Sequence, residues 1–229
     1  MILRIIYWSA SIIALASYAL LMVIFAISKK DRNIKSFMLL LACMIGWTGS
    51  SLLMKMDAVP GFAFWSLMLS SLMIVLPPVT RHFVASLLGY QQGKIRKFLW
   101  FFGTALMVGL NFAGVFVRDR VLIDTGYGMI SVGYTIDWPI VFPVAFMLAA
   151  VIATVVILKK SVASGKANLK TLRPMIAGLI LMFLGFATKL TPVFSQYPID
   201  VVTSLINAAL FIRVIYSKRV FTLKFVMTR

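Results

Sequence analysis

The sequence predicts an all-α membrane protein of seven transmembrane helices, N-terminus outside and C-terminus cytoplasmic, with a small outer β-hairpin between helices 4 and 5. Three observations predict it. The 229 residues are 62% hydrophobic with a mean hydropathy of +1.00, well above the composition of soluble domains. Continuous apolar runs of about 20 residues, the length that spans a bilayer as helix, recur along the chain. Basic residues fall in the connections at alternate ends of those runs. A transmembrane barrel would instead alternate apolar and polar residues in short strands. No interval between the runs is long enough for a soluble domain of normal size.

The first run covers residues 5–28. Arg4 and the small residues Ala14 and Ala16 imitate a cleaved signal peptide, but the run continues past them to Lys29, Lys30, Arg32 and Lys35. Positive charge after the run, not before it, marks an uncleaved first helix that starts outside. The second run, 36–54, ends in a short outer turn holding Lys55, Asp57, Pro60 and Gly61. The third, 62–88, carries Pro77 and Pro78, then Arg81 and His82, and exits through Gly89 and Tyr90. Two adjacent prolines remove two backbone donors, so a kink is expected there. The fourth run is 98–117.

The longest outer connection, 118–138, mixes Gly126, Gly128 and Gly133 with Tyr127, Ile130, Val132, Tyr134 and Ile136. Glycine among aromatic and β-branched residues reads as a hairpin over the outer mouth. The fifth run, 139–158, is followed by a basic loop through Arg173. Pro174 is expected in the first turn of the sixth run, 174–190, a position that tolerates proline. A turn over 191–198 leads to the seventh run, 199–216.

Orientation follows from a charge count. The ends assigned inside collect Lys29, Lys30, Arg32, Lys35, Lys94, Arg96, Lys97, Lys159, Lys160, Lys166, Lys170, Arg173, Lys218, Arg219, Lys224 and Arg229. Those assigned outside collect Arg4, Lys55, Arg118, Arg120 and Lys189. This is the asymmetry of the positive-inside rule. The net charge of +17, with 23 Lys and Arg against 6 acids, is accounted for by cationic loops facing an anionic leaflet, so no nucleic-acid partner is expected. One cysteine, Cys43, and one histidine leave no intrachain disulfide and no thiolate or imidazole metal cluster. No cofactor is implied.

Ionisable groups within apolar runs are functional candidates because burying a charge in a membrane is costly. Arg81 and His82, beside the expected kink at Pro77 and Pro78, form either a polar switch or a snorkelling arginine and a histidine bonded to a backbone carbonyl. Arg213 has the same two readings. Lys189 and Asp200 flank one outer turn and are close enough in sequence to pair, as an interfacial salt bridge worth little. Trp47, Thr48, Ser50, Ser51, Trp65, Ser66, Ser70 and Ser71 offer an aromatic and hydroxyl lining for a small amphipathic ligand. The alternative is helix packing by small hydroxyl residues and an interfacial tryptophan belt. Tyr127 and Tyr134 of the hairpin, together with Lys189 and Asp200, complete the candidate ligand-binding set. Gly103, Gly109, Gly178 and Gly185 are expected at close helix contacts.

No acid lies mid-helix, so a proton relay or cation pathway lacks its usual groups. The seventh run has no mid-helix lysine, which excludes a retinal Schiff base despite the shared helix count. No HExxH, GxSxG or Walker pattern is present, and no catalytic activity is expected of this chain.

The stretches LACMIGWTGSSLL, LPPVTRHFVASLLGY, GYGMISVGYTIDW, LKTLRPMIAGLILMFLGFATKLTPVF and AALFIRVIYSKRVFTLKFVMTR occur in this order. Together they resemble the seven-helix N-terminal sensory region of bacterial histidine kinases, also found on diguanylate cyclases. The resemblance implies a multi-pass sensor in the bacterial cytoplasmic membrane that responds to a small-molecule or lipid ligand, or to the state of the bilayer. It also implies a downstream cytoplasmic signalling module, in cis or in trans, and allows a homodimer. Residues 1–216 would form the sensor domain. Residues 217–229 would form the signalling exit; Arg213 ahead of it and Lys218, Arg219 and Phe221 within it mark the passage, and the end at Arg229 is expected to be a cut before an output module. Alternatives from other classes are a small-solute transporter or channel and a non-catalytic structural membrane subunit.

Overall fold

The computed structural model describes residues 2–27, 32–91, 93–124, 130–165, 169–189 and 199–218. Among them are seven helices: α1 (Ile2–Ile27), α2 (Arg32–Lys55), α3 (Phe62–Leu87), α4 (Lys94–Phe112), α5 (Val141–Ala163), α6 (Leu169–Lys189) and α7 (Ile199–Lys218). Two strands, β1 (Val117–Asp124) and β2 (Ile130–Ile136), pair antiparallel between α4 and α5, and a 3-10 turn at Trp138–Ile140 leads into α5. The predicted hairpin is thus present, with its tip outside the described residues. Among the described residues, four stretches are long and apolar enough to cross a membrane: Trp8–Ile27, Arg32–Lys55, Phe62–Leu87 and Trp138–Ala163.

The helices pack as an irregular bundle. α3 contacts α2, α4 and α5, while α1 bridges α2 and α7, and α6 lies against α7. Between apolar helices in lipid, dispersion and polar ties hold the packing, so small residues that let backbones approach matter most. A Cβ on Gly46 would lie 3.1 Å from Leu72, and one on Gly103 would lie 2.9 Å from Phe146. Gly178 faces Asn207 so closely that any side chain would collide with its Oδ1. Gly109, expected at a similar contact, has nothing within 4 Å.

The core is built on aromatic contacts across three helices. Phe37 of α2 meets Phe25 of α1 edge-on at 5.0 Å and Phe83 of α3 at 5.3 Å. All three rings are buried. Polar ties add to this. Tyr18 of α1 donates its hydroxyl to the Ser204 carbonyl of α7 at 2.6 Å. Asn207, also wholly buried, donates to Sδ of Met44 at 3.8 Å, which links α7 to α2. At the other side of the core, Ser86 Oγ of α3 bonds Asn33 Oδ1 of α2 at 2.9 Å.

Several boundaries differ from the sequence reading: α2 begins at Arg32, α4 begins at Lys94 and α5 ends at Ala163. α4 ends at Phe112, not at 117, because Gly114 adopts a left-handed conformation with φ 74° and reverses the chain into β1. α6 begins at Leu169, so Pro174 lies inside the helix and not in its first turn. Its missing N–H costs the hydrogen bond to the carbonyl four residues earlier, near the start of the helix. α3 is assigned as helix through both Pro77 and Pro78, which are buried.

Candidate functional site

The site is built where the hairpin meets α3. Strand β1 is regular at Val117 and Arg118, which face Ile136 and Thr135, and again from Val121, which faces Gly133. Asp119 and Arg120 therefore both oppose Tyr134, a β-bulge. Asp119 supplies the turn with φ 48°, a left-handed value that aspartate tolerates better than most residues. Side chains alternate along a strand, so one extra residue reverses the faces beyond it. Arg118 is 66% exposed and pairs with Asp137 at 2.9 Å. Arg120, two residues on, turns instead onto α3.

There its guanidinium donates to Ser66 Oγ at 3.1 Å and to Ser70 Oγ at 3.4 Å. Ser66 and Ser70 are one helical turn apart, so both hydroxyls stand on one face. Ser70 sends its own proton to the Leu67 carbonyl at 3.0 Å, which leaves its lone pairs for incoming donors. The second donor is Asn111, near the end of α4 and 1% exposed, whose Nδ2 reaches Ser70 Oγ at 2.9 Å and Ser71 Oγ at 2.8 Å. The result is a chain from hairpin to α3 to α4, with Arg120 and Asn111 as donors and serine hydroxyls as acceptors. Burial works against the charge of Arg120 and pushes the Tyr134 phenol above its ordinary value.

Of the residues singled out in sequence, Ser66, Ser70, Ser71 and Tyr134 belong to this end of α3. Trp65 lies beside them, but its indole N–H donates to the Ala58 carbonyl at 2.9 Å. That bond, with the Phe62 amide on Asp57 Oδ1 at 2.8 Å, fixes the turn before α3. Trp47 and Ser51 are buried in α2, and Trp47 is part of the main core. Tyr127 lies outside the described residues. Lys189 ends α6 and Asp200 is in the first turn of α7, with their side chains likewise outside the description.

The other end of α3 carries the second candidate set. Arg81 is 4% exposed, and its guanidinium carbon sits 4.6 Å from the centroid of the Trp100 ring in α4. Trp100 in turn packs on Phe146 of α5 at 5.2 Å. His82 is half-buried, with Arg32, Lys97 and Arg81 as its charged neighbours. Arg213 of α7 is exposed, Lys218 ends that helix, and Arg219 and Phe221 lie outside the described residues.

Arg120 and Asn111 are the site residues that sequence reading missed. Asn111 had a signal: it is the lone amide in an apolar helix, and such a group needs a partner inside the protein. The serine run on α3 is where that partner was to be found. Among the described residues no group of three His, Cys, Asp or Glu is placed to hold a metal. Compared with known proteins, the chain matches no family model, no curated sequence and no solved structure. The resemblance to the sensory family therefore rests on the quoted stretches alone.

Proposed function

We propose that this chain is the membrane-embedded sensory region of a signal-transduction protein, with the hairpin end outside and the end of α7 in the cytoplasm of a bacterial cell. The observation that carries this reading is that α3 joins two differently built polar sites. At one end Ser66 and Ser70 accept Arg120 from the hairpin, and at the other Arg81 lies over Trp100. A helix tied at both ends couples them when a ligand or bilayer change favours one helix arrangement over another. The sixteen-to-five division of basic residues supports the orientation. The tie from Tyr18 to Ser204 connects α7, the proposed output, to the bundle.

The serine and asparagine groups at the hairpin end are engaged with one another, which favours a sensory site over a solute path. Reconstitution tests the reading. In proteoliposomes the expected result is no transport of small solutes, together with a saturable ligand-dependent rise in thermal stability across a metabolite and lipid panel. Substrate flux would identify a transporter instead, and a panel without any saturable shift would leave a structural subunit.

A further inference from the structure

We propose that Arg120 is the charge anchor of an oxyanion-binding site, for a carboxylate or phosphate group, between the hairpin and α3. The hairpin carries two arginines whose environments are the reverse of the usual order. Arg118, well exposed, is neutralised by Asp137 at 2.9 Å. Arg120, half-buried, has serine hydroxyls as hydrogen-bond partners and no carboxylate within ion-pair distance among the described residues. A partly desolvated charge is stabilised by a counter-ion far better than by neutral hydroxyls.

The geometry leaves donors for that counter-ion. A guanidinium has five N–H groups in a planar fork that suits two oxygens of one anion. Two of these groups are directed at Ser66 and Ser70. These contacts hold the fork in place from one side. Asn111 fixes Ser70 from behind, so the fork is oriented before anything binds. Tyr134 lies opposite the bulge that carries Arg120. Asp119, the other bulge residue, is exposed and makes no ion pair among the described residues.

The same chemistry serves a soluble anion and an anionic lipid headgroup at the membrane surface. The inference rests on the sensory reading only for what occupancy does, not for binding itself. The test uses the full chain in nanodiscs of neutral lipid, with thermal stability as the readout. One arm adds inorganic phosphate, a second adds acetate, and a third replaces part of the lipid with phosphatidylglycerol. Arg120→Gln keeps amide donors for the serines but removes the charge, and Arg120→Lys keeps the charge without the fork.

The expected result is a saturable rise in melting temperature for the wild type in at least one arm. The apparent affinity should fall by about tenfold or more in Arg120→Gln and less in Arg120→Lys. A response to the soluble anions alone places the ligand in solution, and a response to phosphatidylglycerol alone places it in the bilayer. Equal responses of wild type and Arg120→Gln, or no response in any arm, overturn the site. Arg120-dependent binding without a change at the end of α7 would keep the site and remove the sensory reading. A change at α7 with no anion response would do the opposite.

Discussion

The guanidinium of Arg81 in α3 lies 4.6 Å above the ring of Trp100 in α4, with Arg81 only 4% exposed. An arginine near a helix end in a membrane can reach headgroups along its own stem. Here the charge is instead covered by an aromatic face, which attracts it through the ring quadrupole.

A double-mutant cycle on Arg81→Gln and Trp100→Leu should return a coupling of about 1 kcal/mol, the range of a partly desolvated cation–π pair. The measurement is reversible unfolding in detergent micelles. Additive losses would mean that the pair makes no energetic contribution beyond packing.

Asn111→Ala removes the donor that Ser70 and Ser71 share. The expected loss is about 1–2 kcal/mol, since interhelical hydrogen bonds in membranes average well below their vacuum strength. Because Ser70 also accepts Arg120, proteolysis within the hairpin should become faster in the same variant. Unchanged stability and cleavage would show that α4 is held to α3 by apolar packing alone.

Gly178→Ala and Gly109→Ala form a matched pair. The first drives a methyl group into Asn207, which is 0% exposed, and should cost about 1–3 kcal/mol. The second meets open space and should be neutral or slightly stabilising, because alanine is the better helix former. Thermal melts of the two variants in one detergent make the comparison. Equal effects would contradict the close approach of α6 and α7.

Burial raises the Tyr134 phenol above its unfolded value of 10.0. Above pH 10 the unfolded chain gives up that proton first, while the folded hairpin retains it. The stability that Tyr134 contributes is therefore complete below pH 10 and declines as pH rises toward the folded value. Ultraviolet titration of wild type against Tyr134→Phe should show one late-ionising tyrosine missing from the variant. A Tyr134 that titrates at 10.0 would place its ring in water.

How much of this was legible in the chain differs by feature. The helices were, because apolar runs and basic ends are set by the bilayer itself. The hairpin was too, since glycine with β-branched and aromatic residues has few other uses between two helices. The bulge at Asp119 was not, because no glycine marks its left-handed conformation. Without the bulge Arg120 reads as a second exposed cation like Arg118, and its place on Ser66 and Ser70 is invisible. The candidate lining divided in the same way. Ser66, Ser70 and Ser71 met a polar partner, whereas Trp47 went into the core, since a tryptophan on a helix face carries no mark of what covers it.

The sensory role turns on whether events at the hairpin end of α3 reach the end of α7. The most direct measurement is the rate at which a maleimide modifies Arg213→Cys in the reconstituted protein. Arg213 is exposed, whereas Cys43, the sole native cysteine, is 7% exposed, so the label reports position 213. The rate is compared with and without inorganic phosphate, with and without phosphatidylglycerol, and in bilayers of two thicknesses. The expected result is a change of about threefold or more under at least one condition, the signature of a population shift between two helix arrangements. A rate that stays the same under every condition contradicts a sensory role for this bundle.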